Sequence, residues 1–230
     1  MGKHLRGVIL DVDGTLIDSN GEHAEAWVEA FRQHGYEVPY DKALHMIGMG
    51  SDNLLPKAVG VQKDTPEGRA LSKASEDIFK SQYLSHVHAF PQTRALLLHM
   101  RDQGLRLAVA SSAKADQLHQ LLEIAGAADL IETKTSSGDV KHSKPDPDIV
   151  HAALTRLDLA PDEVVMIGDT PYDIEAAGKL GIGTIAFRSG GWDDAGLAGA
   201  IAIYDDPADL LAHYAESPLA PGAPPPAPPR

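Results

Sequence analysis

The sequence predicts an α/β fold, a doubly wound and mostly parallel sheet with an inserted helical cap, and three observations carry that expectation. Short apolar runs alternate with helix-like segments along most of the chain, as in parallel sheets whose strands are buried on both faces. The alternation breaks once, from Ser19 to about Ser85, where helical patterns dominate and no convincing strand is found. Charged and hydroxylic residues fall at the ends of the apolar runs, which is where open parallel sheets bind their ligands.

The first strand is expected over residues 7–10, an apolar run that stops at Asp11. The insertion follows, with Ala26, Val28, Ala30 and Phe31 at helical spacing in 22–34, and Ala70, Leu71, Ala74, Ile78 and Phe79 in 67–84. A helix over 93–103 should stop at Gly104, before a strand over 106–110. A helix over 116–125, closed by Gly126, leads to a strand over 130–133, and a helix over 146–157 leads to a strand over 164–168. Thr170-Pro171 reads as an N-cap followed by proline in the first turn of a helix over 172–180, which Gly181 closes. Strands over 183–187 and 200–204 follow, and Asp206-Pro207 starts a last helix over 207–215. Proline fits neither a helix interior nor a sheet ladder, so the proline-rich 217–230 is expected to be an exposed, flexible tail. The expected organisation is an α/β core over 1–18 and 86–216, a helical cap over 19–85, and that tail.

With 230 residues, 43% of them hydrophobic, the chain can bury a sizeable core. A formal charge of -13 argues against nucleic acid and anionic membrane surfaces as partners, since both need clustered Lys and Arg. The absence of cysteine excludes disulfides, thiolate catalysis and cysteine metal sites. Residues 1–6 are polar and the apolar run after them is too short for a signal peptide or a membrane span, while Arg6 stands where a myristoylation signal needs Ser or Thr. A soluble, cytoplasmic monomer is expected.

Asp11-Val12-Asp13-Gly14-Thr15 places two carboxylates one residue apart at a strand end. In extended chain such neighbours point the same way, and their repulsion persists only where a cation or a proton-transfer task compensates it. Alone, the motif reads equally well as an acidic turn. Other strand ends add Ser111-Ser112, Lys144 within Lys-Pro-Asp-Pro, and Asp169 with Asp173 beyond it. Brought around one pocket, these would combine carboxylates for a hard divalent cation, hydroxyl donors and one point positive charge, the set that phosphoryl transfer requires. Each has a structural alternative. Ser112 or Asp116 is expected to cap the next helix, Lys144 could be a solvated loop lysine, and Asp173 could complement a helix dipole.

With these residues in order, the chain resembles the haloacid dehalogenase superfamily, with a Rossmann-like core and a helical cap. Asp11-x-Asp13-Gly14-Thr15, Ser111 after its strand, Lys144-Pro145 and Gly168-Asp169-Thr170-x-x-Asp173 match the four motifs of that superfamily over residues of about 5 to 205. The resemblance implies a phosphatase in which Asp11 attacks phosphorus and becomes an aspartyl-phosphate. Asp13 then serves as acid and later as base, which requires a pKa above the ordinary carboxylate value. It further implies that Asp11, the Asp13 main-chain carbonyl and Asp169 hold Mg2+, with Asp173 as a further ligand or a neighbour of the ligands. Ser111 and Lys144 bind the phosphoryl group, with Ser112 beside them. Asp13 sets the chain apart from the carbon-attacking dehalogenases, which generally lack a second acidic residue there.

On the cap side, Asp18-Ser19-x-x-x-His23-x-x-x-Trp27 resembles the β-phosphoglucomutase-like branch, which implies a His23 facing substrate; the alternative is a histidine packed at the hinge. The stretch Ile47-Gly48-Met49-Gly50-Ser51-Asp52 resembles the substrate-specificity loop, with Gly48, Gly50 and Ser51 as substrate contacts. The mutases carry an arginine there for a second phosphate, whereas this chain has Ser51 and Asp52, and its Gly-x-Gly form is closer to the phosphoglycolate phosphatases. Hydrolysis of a small phosphorylated metabolite therefore ranks first, isomerisation second, and non-catalytic ligand binding last.

Overall fold

A computed structural model describes residues 4–223. In chain order the elements are β1 (Gly7–Leu10), β2 (Ile17–Asp18), α1 (Asn20–Gln33), α2 (Tyr40–Leu44), α3 (Ser51–Val59), α4 (Pro66–Ile78), β3 (His88–Ala89), α5 (Thr93–Asp102), β4 (Arg106–Ala110), α6 (Ala115–Ile124), β5 (Thr133–Thr135), α7 (Asp148–Leu157), β6 (Val164–Gly168), α8 (Pro171–Gly178), β7 (Gly183–Phe187), β8 (Ala202–Tyr204) and α9 (Pro207–Ala212).

The main sheet has the order β5-β4-β1-β6-β7-β8 and is parallel throughout. Strand polarity explains how it is covered. Val8 and Leu10 face a core shared with Leu96, Leu97, Leu118, Leu121 and Leu210 from α5, α6 and α9. Ile9, on the other face, packs with Ile149, Val150, Ala153 and Ala176 from α7 and α8. The strand order reverses at β1, which lies between β4 and β6, so the crevice beyond its carboxyl end is the natural ligand site.

Helices α1 to α4 build a separate apolar cluster around Ala24, Phe31, Leu54, Leu55 and Leu71. The chain leaves for them and returns from them through a two-stranded antiparallel ribbon, Ile17 opposite Ala89 and Asp18 opposite His88. That ribbon and the short α2 and α3 have too few residues to show a period in the sequence. After α4 the chain widens into a π-helical turn over Phe79–Tyr83, so the single helix expected over 67–84 is divided.

Other boundaries move for local reasons. Leu130 and Ile131 fill the core from a turn, and the strand itself is the polar edge segment Thr133–Thr135. Helix α7 starts at Asp148 because Pro147 takes the cap position. Thr170 caps α8 and Asp206 caps α9 through their side chains, while Gly104, Gly126 and Gly181 take positive φ after α5, α6 and α8. The expected exposed tail starts too early: Ser217 and Leu219 are buried, with Leu219 in the core, and residues 224–230 lie outside those described. Among the described residues no helix is long and apolar enough to cross a membrane.

Candidate active site

Asp11 extends β1 by one residue, its N–H donating to the Ile167 carbonyl at 2.9 Å, which fixes its side chain at the carboxyl end of the sheet. The chain then turns sharply, with the N–H groups of Leu16 and Ile17 both donating to the Val12 carbonyl, at 2.8 and 3.0 Å. Gly14 makes this turn possible. Its φ is +74°, and a Cβ there would lie 2.1 Å from Asp169 Oδ2.

Lys144 is fully buried, and its ammonium donates to Asp11 Oδ1 at 2.6 Å and Asp173 Oδ1 at 2.8 Å. The solvated alternative is thereby excluded. The two aspartates hold its pKa above the ordinary lysine value against the opposing effect of burial. Its bond to Pro145 is cis. Asp173 takes the helix-start role considered for it: its other oxygen accepts the Thr170 N–H and hydroxyl at 3.1 and 2.6 Å, closing a capping box at the start of α8.

Asp169 is also fully buried, but its hydrogen-bond donors are neutral: Thr15 Oγ1 at 2.8 Å and Asn20 Nδ2 at 2.9 Å. Burial, reinforced by Asp173 and Asp11, raises its pKa well above the ordinary value. Burial likewise pushes Asp11 up to about 7, although Lys144 opposes it. The carboxylates of Asp11, Asp169 and Asp173 offer oxygens within 4.8 Å of one another. Asn20 Oδ1, on the amide that holds Asp169, is buried without a partner. Three buried carboxylates facing one ammonium, beside an orphaned oxygen, are a donor set that a hard divalent cation fits.

Asp13 turns away from this cluster. Its Oδ1 accepts the Ser19 hydroxyl at 2.7 Å and lies 3.1 Å from His23 Nε2. The expected rise in its pKa is corrected here. Burial raises it, yet His23 and the Ser19 hydrogen bond prevail, and Asp13 is held below the ordinary carboxylate value. His23 lines the cavity and also stacks on Phe79 at the base of the helical layer, with centroids 3.8 Å apart and planes 7° from parallel.

A cavity of about 730 Å³ opens between the sheet ends and α1 to α4, lined among others by Asp11, Asp13, His23, Gly48, Gly50, Ser51 and Ser112. Ser111 is buried at the end of β4, and its hydroxyl accepts the Ala113 N–H at 3.1 Å. Neither Ser112 nor Asp116 caps α6. Its N-cap is Lys114, with no side-chain bond, while Ser112 donates to the Gly48 carbonyl at 3.2 Å and Asp116 pairs with Lys80. Gly48 and Gly50 line the cavity, but the crowding that requires glycine comes from the core: a Cβ at Gly48 would lie 2.8 Å from Thr170, and one at Gly50 2.1 Å from Ser143. Ser51 opens α3. Asn20, Phe79, Gln117, Asp52 and Asn53 also reach the site or its border without having been singled out as site residues. The Asp18-Ser19-x-x-x-His23 stretch contains Asn20 and the Ile47 to Asp52 loop contains Asp52, but nothing in residue type or spacing marks the other three.

A model of the haloacid dehalogenase-like hydrolases matches residues 8–187, from the second residue of β1 to the end of β7, with every residue of the buried charge cluster. The phosphoglycolate phosphatase of Rhodospirillum rubrum is 28% identical over 215 residues, 89% of each chain. Validoxylamine A 7'-phosphate phosphatase of Streptomyces hygroscopicus subsp. limoneus is 28% identical over 177 residues, 76% of this chain and 81% of its own. The solved structure of a hydrolase from Pseudomonas syringae shares 29% identity with a TM-score of 0.85, covering 92% of this chain and 98% of that one. The buried lysine between two aspartates, the acidic turn after the first strand and this family match lead to one conclusion: the chain belongs to the haloacid dehalogenase-like hydrolases.

Proposed function

We propose that this protein is a phosphatase that hydrolyses a small phosphorylated metabolite through an aspartyl-phosphate on Asp11, with helices α1 to α4 acting as the cap over the reaction. The observation that carries the reading is the placement of Asp11, bonded to a fully buried Lys144 and opening onto the same cavity as Asp13. Asp11 Oδ2 attacks phosphorus and the ester oxygen leaves; hydrolysis of the acyl phosphate then returns Asp11 and inorganic phosphate. Lys144 holds Asp11 in line and offsets charge on the transferring group, and the hydroxyls of Ser111 and Ser112 are the donors at the neighbouring strand end. Asp13 delivers the proton to the leaving oxygen and later accepts one from water. Because it is held ionised, its proton must be gained as substrate arrives, and His23 at 3.1 Å is the adjoining group that can exchange one with it.

Asp11 and Asp169, with the Asp13 main-chain carbonyl, would hold Mg2+, and Asp173 stands beside them holding Lys144. Bound there, the cation would neutralise charge on the transferring phosphoryl group. Lys63, Arg69 and Lys73 on the cap wall of the cavity, set among Asp64, Glu76 and Asp77, are the cations an anionic substrate would meet there despite the net charge of -13. The phosphatase and pyrophosphatase names of its relatives support the same class of chemistry. Isomerisation ranks lower because Asp52 is engaged with the core at Ser143, and the loop puts no cation in its place. On this reading the protein works as a cytoplasmic monomer without nucleic acid or membrane partners. The test is phosphate release from a panel of phosphomonoesters with MgCl2. Asp11→Asn should lose at least about 10³-fold in kcat, and wild-type turnover by that variant would refute the mechanism.

A further inference from the structure

The cap loop that lines the cavity also grips the core at the main chain of the buried lysine. Asp52 Oδ2 accepts the Ser143 N–H at 2.9 Å, while Asn53 Nδ2 donates to the carbonyls of Ser143 and Lys144 at 3.0 and 3.2 Å. Ser143 and Lys144 are 2% and 0% exposed, so these bonds satisfy main-chain groups that water does not reach. Gly50 closes the contact sterically, since its missing side chain leaves the space that Ser143 occupies. Other cap-to-core bonds, from Ser112 to Gly48 and from Tyr172 to His45, hold the cap at different points. Among these, Asn53 alone bonds the residue whose ammonium lies on Asp11, and Asp52 bonds the residue before it.

We infer that Asp52 and Asn53 are positioning residues that couple closure of the cap to the seating of Lys144. With the cap shut, three bonds fix the 143–144 main chain and the ammonium lies between Asp11 and Asp173. With it open, that main chain loses these three and keeps the Asp146 N–H bond to the Ser143 carbonyl, so the ammonium's origin is held less firmly. One face of the loop, residues 47–51, lines the cavity, and the next two residues hold the lysine, so occupancy of the cavity is transmitted to the lysine within one short segment. This inference rests on the phosphatase reading for its kinetic consequence but not for its structural one.

Two measurements test it. In an enzyme that turns over a phosphomonoester with MgCl2, Asn53→Ala, Asp52→Ala and the purely steric Gly50→Ala should each lower kcat roughly 10- to 100-fold, with KM within about threefold, as expected of a misplaced catalytic group. Asp52→Asn, whose amide oxygen can still accept the Ser143 N–H, should recover most of the loss. Independently of any substrate, hydrogen exchange at the Ser143 amide should quicken about tenfold or more in Asp52→Ala, while the amides of β6 stay protected and report an intact fold. Unchanged Ser143 exchange in Asp52→Ala overturns the inference, as does wild-type kcat in both alanine variants. If the wild type hydrolyses no phosphomonoester, the functional reading fails, and the exchange experiment alone decides the coupling.

Discussion

The two sides of the cavity are built on opposite principles. On the sheet side, Asp11, Lys144, Asp169 and Asp173 are buried to 3% exposure or less; Lys144 joins Asp11 and Asp173 by charge, and the neutral donors of Thr15 and Asn20 hold Asp169. On the cap side, the Asp13 carboxylate is held by Ser19 and by His23, which rests on the face of Phe79, and the loop reaches core main chain through the side chains of Asp52 and Asn53. The sheet side cannot change without leaving a charge stranded. The cap side is joined to the core by hydrogen bonds and by partly exposed ion pairs such as Lys80 with Asp116 and Lys114 with Glu76. Chemistry that recurs across a family belongs on the first kind of structure and substrate choice on the second.

The comparison breaks most visibly at Lys144. Lys144→Met leaves Asp11 and Asp173 buried with no cation between them, and removing one partner of a buried pair destabilises by about 3–5 kcal/mol. At roughly 2–4 °C per kcal/mol for a chain of this size, thermal unfolding followed by circular dichroism should drop by roughly 6–20 °C. A cap-side change such as Ser112→Ala, which removes one bond of 3.2 Å to a carbonyl, should move the midpoint by only a small part of that. Equal shifts for the two would dissolve the distinction.

Acidity sharpens it next. The folded pKa of Asp11 is raised from 3.8 to about 7, and that of Asp169 is raised as well, so the metal-free folded state binds more protons than the unfolded chain between about pH 4 and pH 7. Stability must then fall as pH rises through that window, the reverse of the usual carboxylate behaviour, by a total on the order of 4 kcal/mol for Asp11. Asp13, held below the ordinary value, acts in the normal direction but at lower pH. With a chelator present, melting should therefore occur at a lower temperature near pH 7.5 than near pH 5. Added MgCl2 should remove the difference if the acidic cluster is its site. A chelated protein that melts higher near pH 7.5 would contradict the charge balance described here.

The same contrast explains how much was legible in advance. Buried strands announce themselves as apolar runs, so β1, β4, β6 and β7 lie where the sequence indicates, and the residues that follow them are readable as site candidates. Asp11, Lys144 and Asp169 need only that placement to converge. The cap side depends on what the helices do after leaving the sheet. Asn20 reaches Asp169 across the hinge, and Asn53 reaches Ser143 across a sequence distance of 90 residues, contacts that no local pattern encodes. The ionisation of Asp13 was misjudged for the same reason, because its partner His23 comes from α1 and not from the acidic motif.

His23 offers the finest test of the boundary. His23→Ala removes the contact with Asp13 and the stack on Phe79, while Ser19 still donates to the same carboxylate oxygen. The fold should survive with little loss, and kcat should fall about tenfold, the scale of a weakened proton transfer. The decisive readout is direction. His23 is the larger of the influences that hold the Asp13 pKa down, with burial opposing it, so its removal must raise that pKa. The limb of the kcat profile that Asp13 governs should accordingly move to higher pH, whereas loss of mere packing would lower the whole profile without moving it. A profile that scales down in place would reassign His23 to the hinge alone and leave the proton chemistry to the sheet side.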